Sequence, residues 1–268
     1  MMELFQYTFM QNAFLAVCII TPLFGMLGTM IVNNRLAFFS DALGHSALTG
    51  MAIGVLLGVA DKNLTMIPFA VVFALLLNYI KRKNTVSTDT IISVFSSCSM
   101  AVGLVILSSG GNFSNYSALL VGDILSITRK EIVYLLVVFV AAVMFWVFCF
   151  NKLQALSVNA SLAKSKGIRV KLLEDLFAVL IAVIVMLSIK WVGILIINAL
   201  LILPAAGARN LAANMREYHL FSVIISLTSG ILGLLLSYYL NVAAGPVIVI
   251  LASMFFAVTF VAGPLFRE

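Results

Sequence analysis

The chain has 268 residues, of which 63% are hydrophobic and 10% are charged, and its formal net charge is +6 at pH 7. Its mean hydropathy of +1.17 leaves too few polar residues to cover a surface that faces water, which excludes a soluble globular domain. The positive charge comes from few groups, so it indicates orientation in a membrane rather than nucleic-acid binding. The composition therefore predicts an integral membrane protein.

Repeated apolar runs of about 17 to 26 residues match the length that a helix needs to cross a bilayer, whereas barrel strands would be shorter and would alternate. We expect an all-α, polytopic helical bundle of about eight to ten membrane segments, forming one transmembrane domain over residues 1–268. The predicted spans are 7–32, 37–59, 64–80, 91–108, 131–150, 173–189, 192–208, 220–240 and 246–265. Residues 117–128 are a candidate half-helix, and Pro204 is expected to break or kink the seventh span.

Lysine and arginine residues predict the orientation. With the amino terminus outside, twelve of the 16 basic residues lie in cytoplasmic segments, as the positive-inside rule favours. An odd number of spans then places the carboxyl terminus in the cytoplasm. The longest polar stretch, residues 151–171, becomes a basic cytoplasmic loop that can form short helices broken at Gly167. It is either a solvated, orientation-setting loop or a docking surface for a partner.

The second predicted span carries a carboxylate and an imidazole four residues apart, Asp41 and His45. This spacing brings both onto one face of a helix, and ionisable groups within a membrane are costly unless they have a partner or a function. An Asp oxygen and a neutral imidazole suit Zn²⁺, Mn²⁺ or Fe²⁺, although water, a second protomer or another span must complete the site. The structural alternatives are that Asp41 caps a helix and that His45 bonds to a backbone carbonyl.

Other residues have weaker signals. Asp123 is expected to cap a helix or to pair with Arg129 or Lys130 at the outer interface, and His219 is expected to lie on the cytoplasmic surface. The candidate pathway or gate residues are Asp123, Asn198 and Pro204. The sequence contains no GxxxxGK[ST] phosphate loop, so the chain is not expected to be an enzyme, and any ATP hydrolysis must come from another polypeptide.

Five sequence blocks, in order, resemble the permease subunits of metal-ion ABC importers, the zinc and manganese uptake family related to the cobalamin and siderophore permeases. The blocks are residues 40–50, 120–125, 163–168, 192–210 and 234–239. Small departures occur at Gly44, where the family often has Ser, and at Gly207, where it often has Thr. The resemblance implies the fold of a type II ABC importer permease.

The resemblance also implies a function and partners. It implies that Asp41 and His45 form the metal-binding pair of an ATP-driven importer, with Zn²⁺ or Mn²⁺ as the transported ion and no permanently bound cofactor; affinity order slightly favours zinc. The residues implied to dock into the ATPase are Ala163, Lys164, Lys166, Gly167 and Ile168. The implied partners are a second copy of the chain, two cytoplasmic ABC ATPase subunits and an extracellular or periplasmic metal-binding protein, all at the inner or cytoplasmic membrane of a prokaryotic cell.

Two other classes of protein remain open at this point. An ion-coupled secondary metal transporter or a metal channel would need no ATPase, but such transporters often have broken helices in repeated halves, and no convincing repeat is visible in the sequence. A membrane scaffold protein would have no use for the intramembrane Asp41 and His45.

Overall fold

The computed structural model of the chain describes residues 6–83, 87–109 and 118–263. Eleven α-helices lie in these ranges: α1 Thr8–Asn33, α2 Ala37–Leu56, α3 Asn63–Lys83, α4 Thr88–Ser109, α5 Ala118–Val121, α6 Arg129–Val158, α7 Ala160–Ser165, α8 Val170–Val192, α9 Ile194–Leu211, α10 Met215–Leu240 and α11 Ala244–Ala262. A short 3₁₀ turn, Ile124–Ser126, lies between α5 and α6. The all-helical architecture predicted from the sequence is confirmed.

The long helices match the predicted spans. Seven helices of the described residues are long and apolar enough to cross a membrane, namely α1, α3, α4, α6, α8, α10 and α11. Helix α2 has 20 residues but is less apolar, because it contains Asp41, His45 and several hydroxyl side chains. Helix α9 is shorter and apolar. Together these nine helices form a polytopic membrane bundle.

The predicted half-helix over residues 117–128 is wrong, and of the two effects expected of Pro204, a break or a kink, the break does not occur. In the described part of residues 117–128, the chain forms the four-residue helix α5 and the 3₁₀ turn instead of one half-helix. Pro204 does not break the seventh span, because α9 continues past it to Leu211. Pro204 is buried inside its helix, where neighbouring helices stabilise a backbone that lacks one hydrogen bond.

Contacts divide the chain into two compact units. The first unit comprises Met1–Asn33, Leu119–Met144 and Lys190–Glu268, and the second comprises Asn34–Ala118 and Phe145–Ile189. In the first unit, α1 packs against α9 and α10, and α9, α10 and α11 pack against one another. Serine side chains of α10 bond to carbonyls of α1, as small polar residues often do between membrane helices.

In the second unit, α2 packs against both α3 and α4. Glycines make this packing close: a Cβ added at Gly50 would lie 2.9 Å from the Met66 Cα, and one at Gly103 would lie 2.7 Å from the Thr49 nitrogen. These distances are shorter than real Cβ contacts, so only glycine fits. The expectation that small residues let other helices approach the second span closely is confirmed.

The start of α8 is joined to the end of α3 by a charged cluster in the second unit. The Arg82 guanidinium donates to Glu174 Oε2 at 3.0 Å and to Asp175 Oδ1 at 2.8 Å. It also donates to the Lys171 carbonyl at 2.9 Å. The planar guanidinium can satisfy several acceptors at once, which a lysine ammonium cannot do with the same geometry.

Candidate metal site

Asp41 and His45 lie one helical turn apart on α2. The distance between Asp41 Oδ2 and His45 Nε2 is 3.5 Å, and the two side chains are 44% and 24% exposed, respectively. This separation is too long for a strong hydrogen bond, so each group retains capacity to bind another partner. Both side chains point to the same side of the helix, as their spacing predicted.

The two side chains line an open cavity of about 220 Å³ between α2 and α4. Three serines of α4 line the same cavity, and they are Ser93, Ser96 and Ser97. Each hydroxyl offers lone pairs that can replace water around a cation. The cavity therefore combines one carboxylate, one imidazole and three hydroxyl groups, and it is open enough to admit a hydrated ion.

His45 Nδ1 is buried, and it has no hydrogen-bond partner among the described residues. A buried polar atom without a partner costs about 1–3 kcal/mol, so its presence calls for an explanation. Neither structural alternative supplies one. The residue that caps α2 is Leu36, without a side-chain bond, so Asp41 does not cap the helix, and no backbone carbonyl of the described residues accepts a bond from His45.

The site is incomplete within the described part of this chain, where no group of three or more His, Cys, Asp or Glu side chains could hold a metal ion. Asp41 and His45 supply one oxygen and one nitrogen, whereas Zn²⁺ normally takes four ligands. Cys18, Cys98 and Cys149 are free thiols and do not line this cavity. A half-exposed pair of ligands suits an ion that binds only in passing.

The predicted docking segment forms the short helix α7 and the turn after it. Asn159 Oδ1 caps α7 by accepting bonds from the Ser161 and Leu162 nitrogens at 2.8 and 3.2 Å. At the other end, Gly167 has a φ of +78°, its nitrogen donates to the Lys164 carbonyl, and the Ile168 nitrogen donates to the Ala163 carbonyl. This is a Schellman motif, and it confirms that the helix breaks at Gly167.

The five predicted docking residues differ in exposure. Ala163 is fully buried and anchors the helix, so it offers no surface to a partner. Lys164, Lys166 and Gly167 are exposed and Ile168 is partly exposed. Leu162, which sequence reasoning did not select, is 50% exposed and adds an apolar side chain to the exposed side of α7.

The candidate pathway or gate residues all belong to the first unit. Asp123 Oδ1 accepts a bond from the Leu125 nitrogen at 3.0 Å, which caps the 3₁₀ turn. A separate ion pair of the first unit joins Lys190 Nζ to Glu131 Oε1 at 2.5 Å. Asn198 is partly buried on α9, and Pro204 is buried farther along the same helix. The capping role expected for Asp123 is confirmed.

Two glycines, Gly122 and Gly193, cross backbone to backbone in the first unit. Their φ angles are +75° and +93°, and a Cβ added at Gly122 would lie 2.4 Å from the Gly193 nitrogen. No other residue type tolerates both the conformation and the contact. Sequence reasoning missed this crossing, although each glycine lies within one of the five resemblance blocks.

The expectation that His219 is a surface histidine is wrong. Its ring is partly buried on α10, where Nε2 lies 3.1 Å from the Thr29 hydroxyl of α1 and Nδ1 lies 2.7 Å from the Met215 carbonyl. The residue therefore joins two helices of the first unit. Neighbouring charges in the sequence gave no sign of a partner that lies 190 residues away.

A polytopic helical membrane protein with a carboxylate and an imidazole at an open cavity is the class that this fold and site define. Residues 6–263 match the ABC 3 transport family, and the chain belongs to that family. The high-affinity zinc uptake system membrane protein ZnuB of Buchnera aphidicola (subsp. Baizongia pistaciae) is 31% identical to it over 250 residues, covering 91% of this chain and 94% of that protein.

Two further comparisons agree. The manganese import system permease protein ScaB of Streptococcus parasanguinis is 29% identical over 263 residues, covering 98% of this chain and 94% of that protein. In the solved structure of PsaBC from Streptococcus pneumoniae in complex with Fab, one chain superposes with a TM-score of 0.87 at 29% identity, covering 99% of this chain and 95% of that chain. The fold expected from the resemblance is confirmed.

Proposed function

We propose that the chain is the membrane-spanning permease of an ATP-driven importer of divalent transition-metal ions, with Zn²⁺ preferred and Mn²⁺ next. Relatives named for zinc uptake and for manganese import support the class of ion. The observation that carries the proposal is the pairing of Asp41 with His45 at an open cavity. A passing cation explains why both groups are tolerated.

The two ligands perform different steps in this proposal. The more exposed Asp41 carboxylate attracts the hydrated cation electrostatically into the cavity. His45 then replaces one water with a nitrogen ligand, which Zn²⁺ accepts more strongly than Mn²⁺ does. The serine hydroxyls of α4 stabilise the waters that remain on the ion. Because the ligands are few, the ion can leave the cavity again.

A second copy of the chain completes the site. A twofold dimer that brings two α2 cavities together would supply two carboxylates and two imidazoles, which matches the four ligands that Zn²⁺ normally takes. The translocation path would then run between the two copies. The permease itself catalyses no covalent reaction.

ATP hydrolysis takes place in two separate cytoplasmic ATPase subunits, which the exposed side of α7 contacts. ATP binding there shifts the dimer between outward and inward access, so that the docking surface and the metal site are coupled through a two-state bundle. The amino terminus lies outside and the carboxyl terminus lies in the cytoplasm. An extracellular or periplasmic metal-binding protein delivers the ion and makes most of the selection between zinc and manganese.

The test measures metal accumulation in cells that depend on this importer. We expect Asp41→Ala and His45→Ala each to lower zinc accumulation about tenfold or more, because each removes one of the few ligands. Asp89→Ala is the matched control, since Asp89 is an exposed carboxylate in the first turn of α4. Membrane insertion of every variant is checked by quantitative blotting. Normal import by both ligand variants would contradict the site assignment.

A second measurement separates the importer from an ion-coupled transporter. The permease is reconstituted with its ATPase and metal-binding protein, and zinc entry is followed with and without ATP. We expect entry only when ATP is hydrolysed. Uptake driven by a proton gradient without the ATPase would contradict the proposed energy source, and faster entry of manganese than zinc would contradict the proposed preference.

A further inference from the structure

A groove of about 390 Å³ lies in the second unit, where the end of α6 meets the turn after α7 and the start of α8. Three cationic side chains line it: Lys152, Lys166 and Arg169. Its apolar side is formed by Leu172, Leu176 and Cys149. We call this feature the basic groove. Its volume falls within the range typical of small-ligand sites.

The positive charge of the basic groove is not neutralised within the described part of the chain. Lys152, Lys166 and Arg169 are exposed, and none of them forms an ion pair with a described residue. The acids at the start of α8, Glu174 and Asp175, are bound to Arg82 instead. No carboxylate of the described residues lines the groove. All three positive charges therefore attract an anion that enters it.

The groove is amphipathic along the axis of α8. Arg169, which precedes the helix, is followed by Leu172 and Leu176 at steps of three and four residues, so all three lie on one side. Both leucines are exposed although α8 is one of the apolar helices long enough to cross a membrane. A basic rim thus continues into an exposed apolar surface on a helix that is long and apolar enough to cross a membrane.

We propose that the basic groove binds an anionic phospholipid, with the phosphate among Lys152, Lys166 and Arg169 and an acyl chain on Leu172 and Leu176. Arginine and lysine together suit a phosphate, because the guanidinium donates two parallel bonds while the ammonium adds point charge. Basic pockets between membrane helices at the cytoplasmic side are typical sites for anionic headgroups. The location in the cytoplasmic leaflet rests on the orientation given under the proposed function.

Charge complementarity and position favour a lipid over the ATPase as the occupant. The apolar side of the groove belongs to membrane-spanning helices, which a lipid tail reaches and a soluble subunit does not. Lys164 does not line the groove, because residues two apart on a helix point in different directions. The exposed side of α7 with Lys164 therefore remains available to the ATPase while Lys166 faces the lipid.

The test compares lipid retention by the purified full-length chain, released from nanodiscs that contain equal amounts of phosphatidylglycerol and phosphatidylcholine, using native mass spectrometry. The triple variant Lys152→Gln, Lys166→Gln, Arg169→Gln should bind phosphatidylglycerol roughly 100-fold more weakly, because each cation near a membrane contributes about a fivefold factor. The matched control also replaces two lysines and one arginine: Lys62→Gln, Lys130→Gln and Arg129→Gln. It should retain the lipid as the unmodified chain does.

If the triple variant does not fold, the three single variants still test the proposal. Each should bind phosphatidylglycerol about fivefold more weakly, by the same reasoning. Equal retention of phosphatidylglycerol by the triple variant and the unmodified chain would overturn the proposal. An equal loss of phosphatidylglycerol by the triple variant and the control variant would also overturn it, because total charge and not the basic groove would then determine binding. Competition by soluble glycerophosphate as strong as that by phosphatidylglycerol would also overturn it. Unchanged lipid retention by the triple variant, together with loss of the ATPase when the variant is co-purified with its ATPase, would identify a protein-docking face instead. None of these outcomes depends on metal import, so the proposed function is tested separately.

Discussion

The Ser99 hydroxyl of α4 donates a hydrogen bond to the Thr49 hydroxyl of α2 at 3.0 Å, and Thr49 in turn donates to the Ser99 carbonyl. Thr49 follows His45 by one helical turn, so this reciprocal pair joins the two helices that line the cavity at Asp41 and His45. Both side chains are buried. The position of His45 relative to the serines of α4 therefore depends on this contact.

We expect Ser99→Ala to lower the free energy of unfolding by about 0.6–1 kcal/mol, because one hydrogen bond between membrane helices is lost. The matched control is Ser108→Ala on the same helix, whose exposed hydroxyl bonds only within α4 to the Val105 carbonyl. The measurement is the unfolding midpoint of the purified chain in detergent. Equal midpoints for the two variants would show that the pair does not stabilise the cavity.

Gly193→Ala should destabilise the chain far more than Gly58→Ala. Both glycines have positive φ angles, +93° and +65°. Backbone strain should therefore lower the free energy of unfolding of each variant by about 1–2 kcal/mol. A Cβ at Gly193 would also lie 2.4 Å from the Val121 carbonyl carbon, whereas one at Gly58 meets no atom within 4 Å. The amount of each variant in the membrane and its unfolding midpoint provide the check. Similar losses would contradict the backbone crossing of Gly122 and Gly193.

Arg82→Lys should lower stability by about 1 kcal/mol at low salt even though the charge is kept, because lysine cannot bond to Glu174 and Asp175 together. The effect should shrink as salt is added, since the cluster is only partly buried. Arg216→Lys is the control, as Arg216 is exposed at the start of α10. The measurement is the unfolding midpoint of each variant at two salt concentrations. A loss of stability in Arg82→Lys no greater than in Arg216→Lys would show that the cluster does not stabilise the fold.

Lys164→Glu should weaken docking of the ATPase, because it reverses a charge on the exposed side of α7. The measurement is ATP hydrolysis stimulated by metal-loaded binding protein in the purified complex. Lys130→Glu reverses a charge at the opposite end of α6 and serves as the control. Unchanged stimulated hydrolysis in the Lys164→Glu variant would count against the docking surface.

Local patterns predicted the parts of this protein that depend on nearby residues. Apolar length identified the long helices, and a spacing of four residues placed Asp41 and His45 on one face of α2. Gly167 marked the end of a short helix, because a left-handed residue there completes the bonds of the last turn. Each of these features is decided within about one helical turn or one span.

Features that depend on distant contacts could not be read from local patterns. His219 is partly buried because Thr29 of another helix lies beside it, and Pro204 stays within a helix because its surroundings are packed. The cavity at His45 needs α4, whose serines carried no signal of their own. Ala163 matched the docking block of the family, yet its burial makes it an internal support.

Helix α7 is held at both ends by its own chain, by Asn159 at the start and by the turn at Gly167. Its shape is thus set before any other molecule arrives. A subunit that binds it loses little conformational entropy in ordering the helix, so association can be fast and the contact stiff. A stiff contact transmits displacement in both directions. Under the proposed function, movement of the bundle during ion release would therefore reach the ATPase as directly as nucleotide binding would reach the bundle.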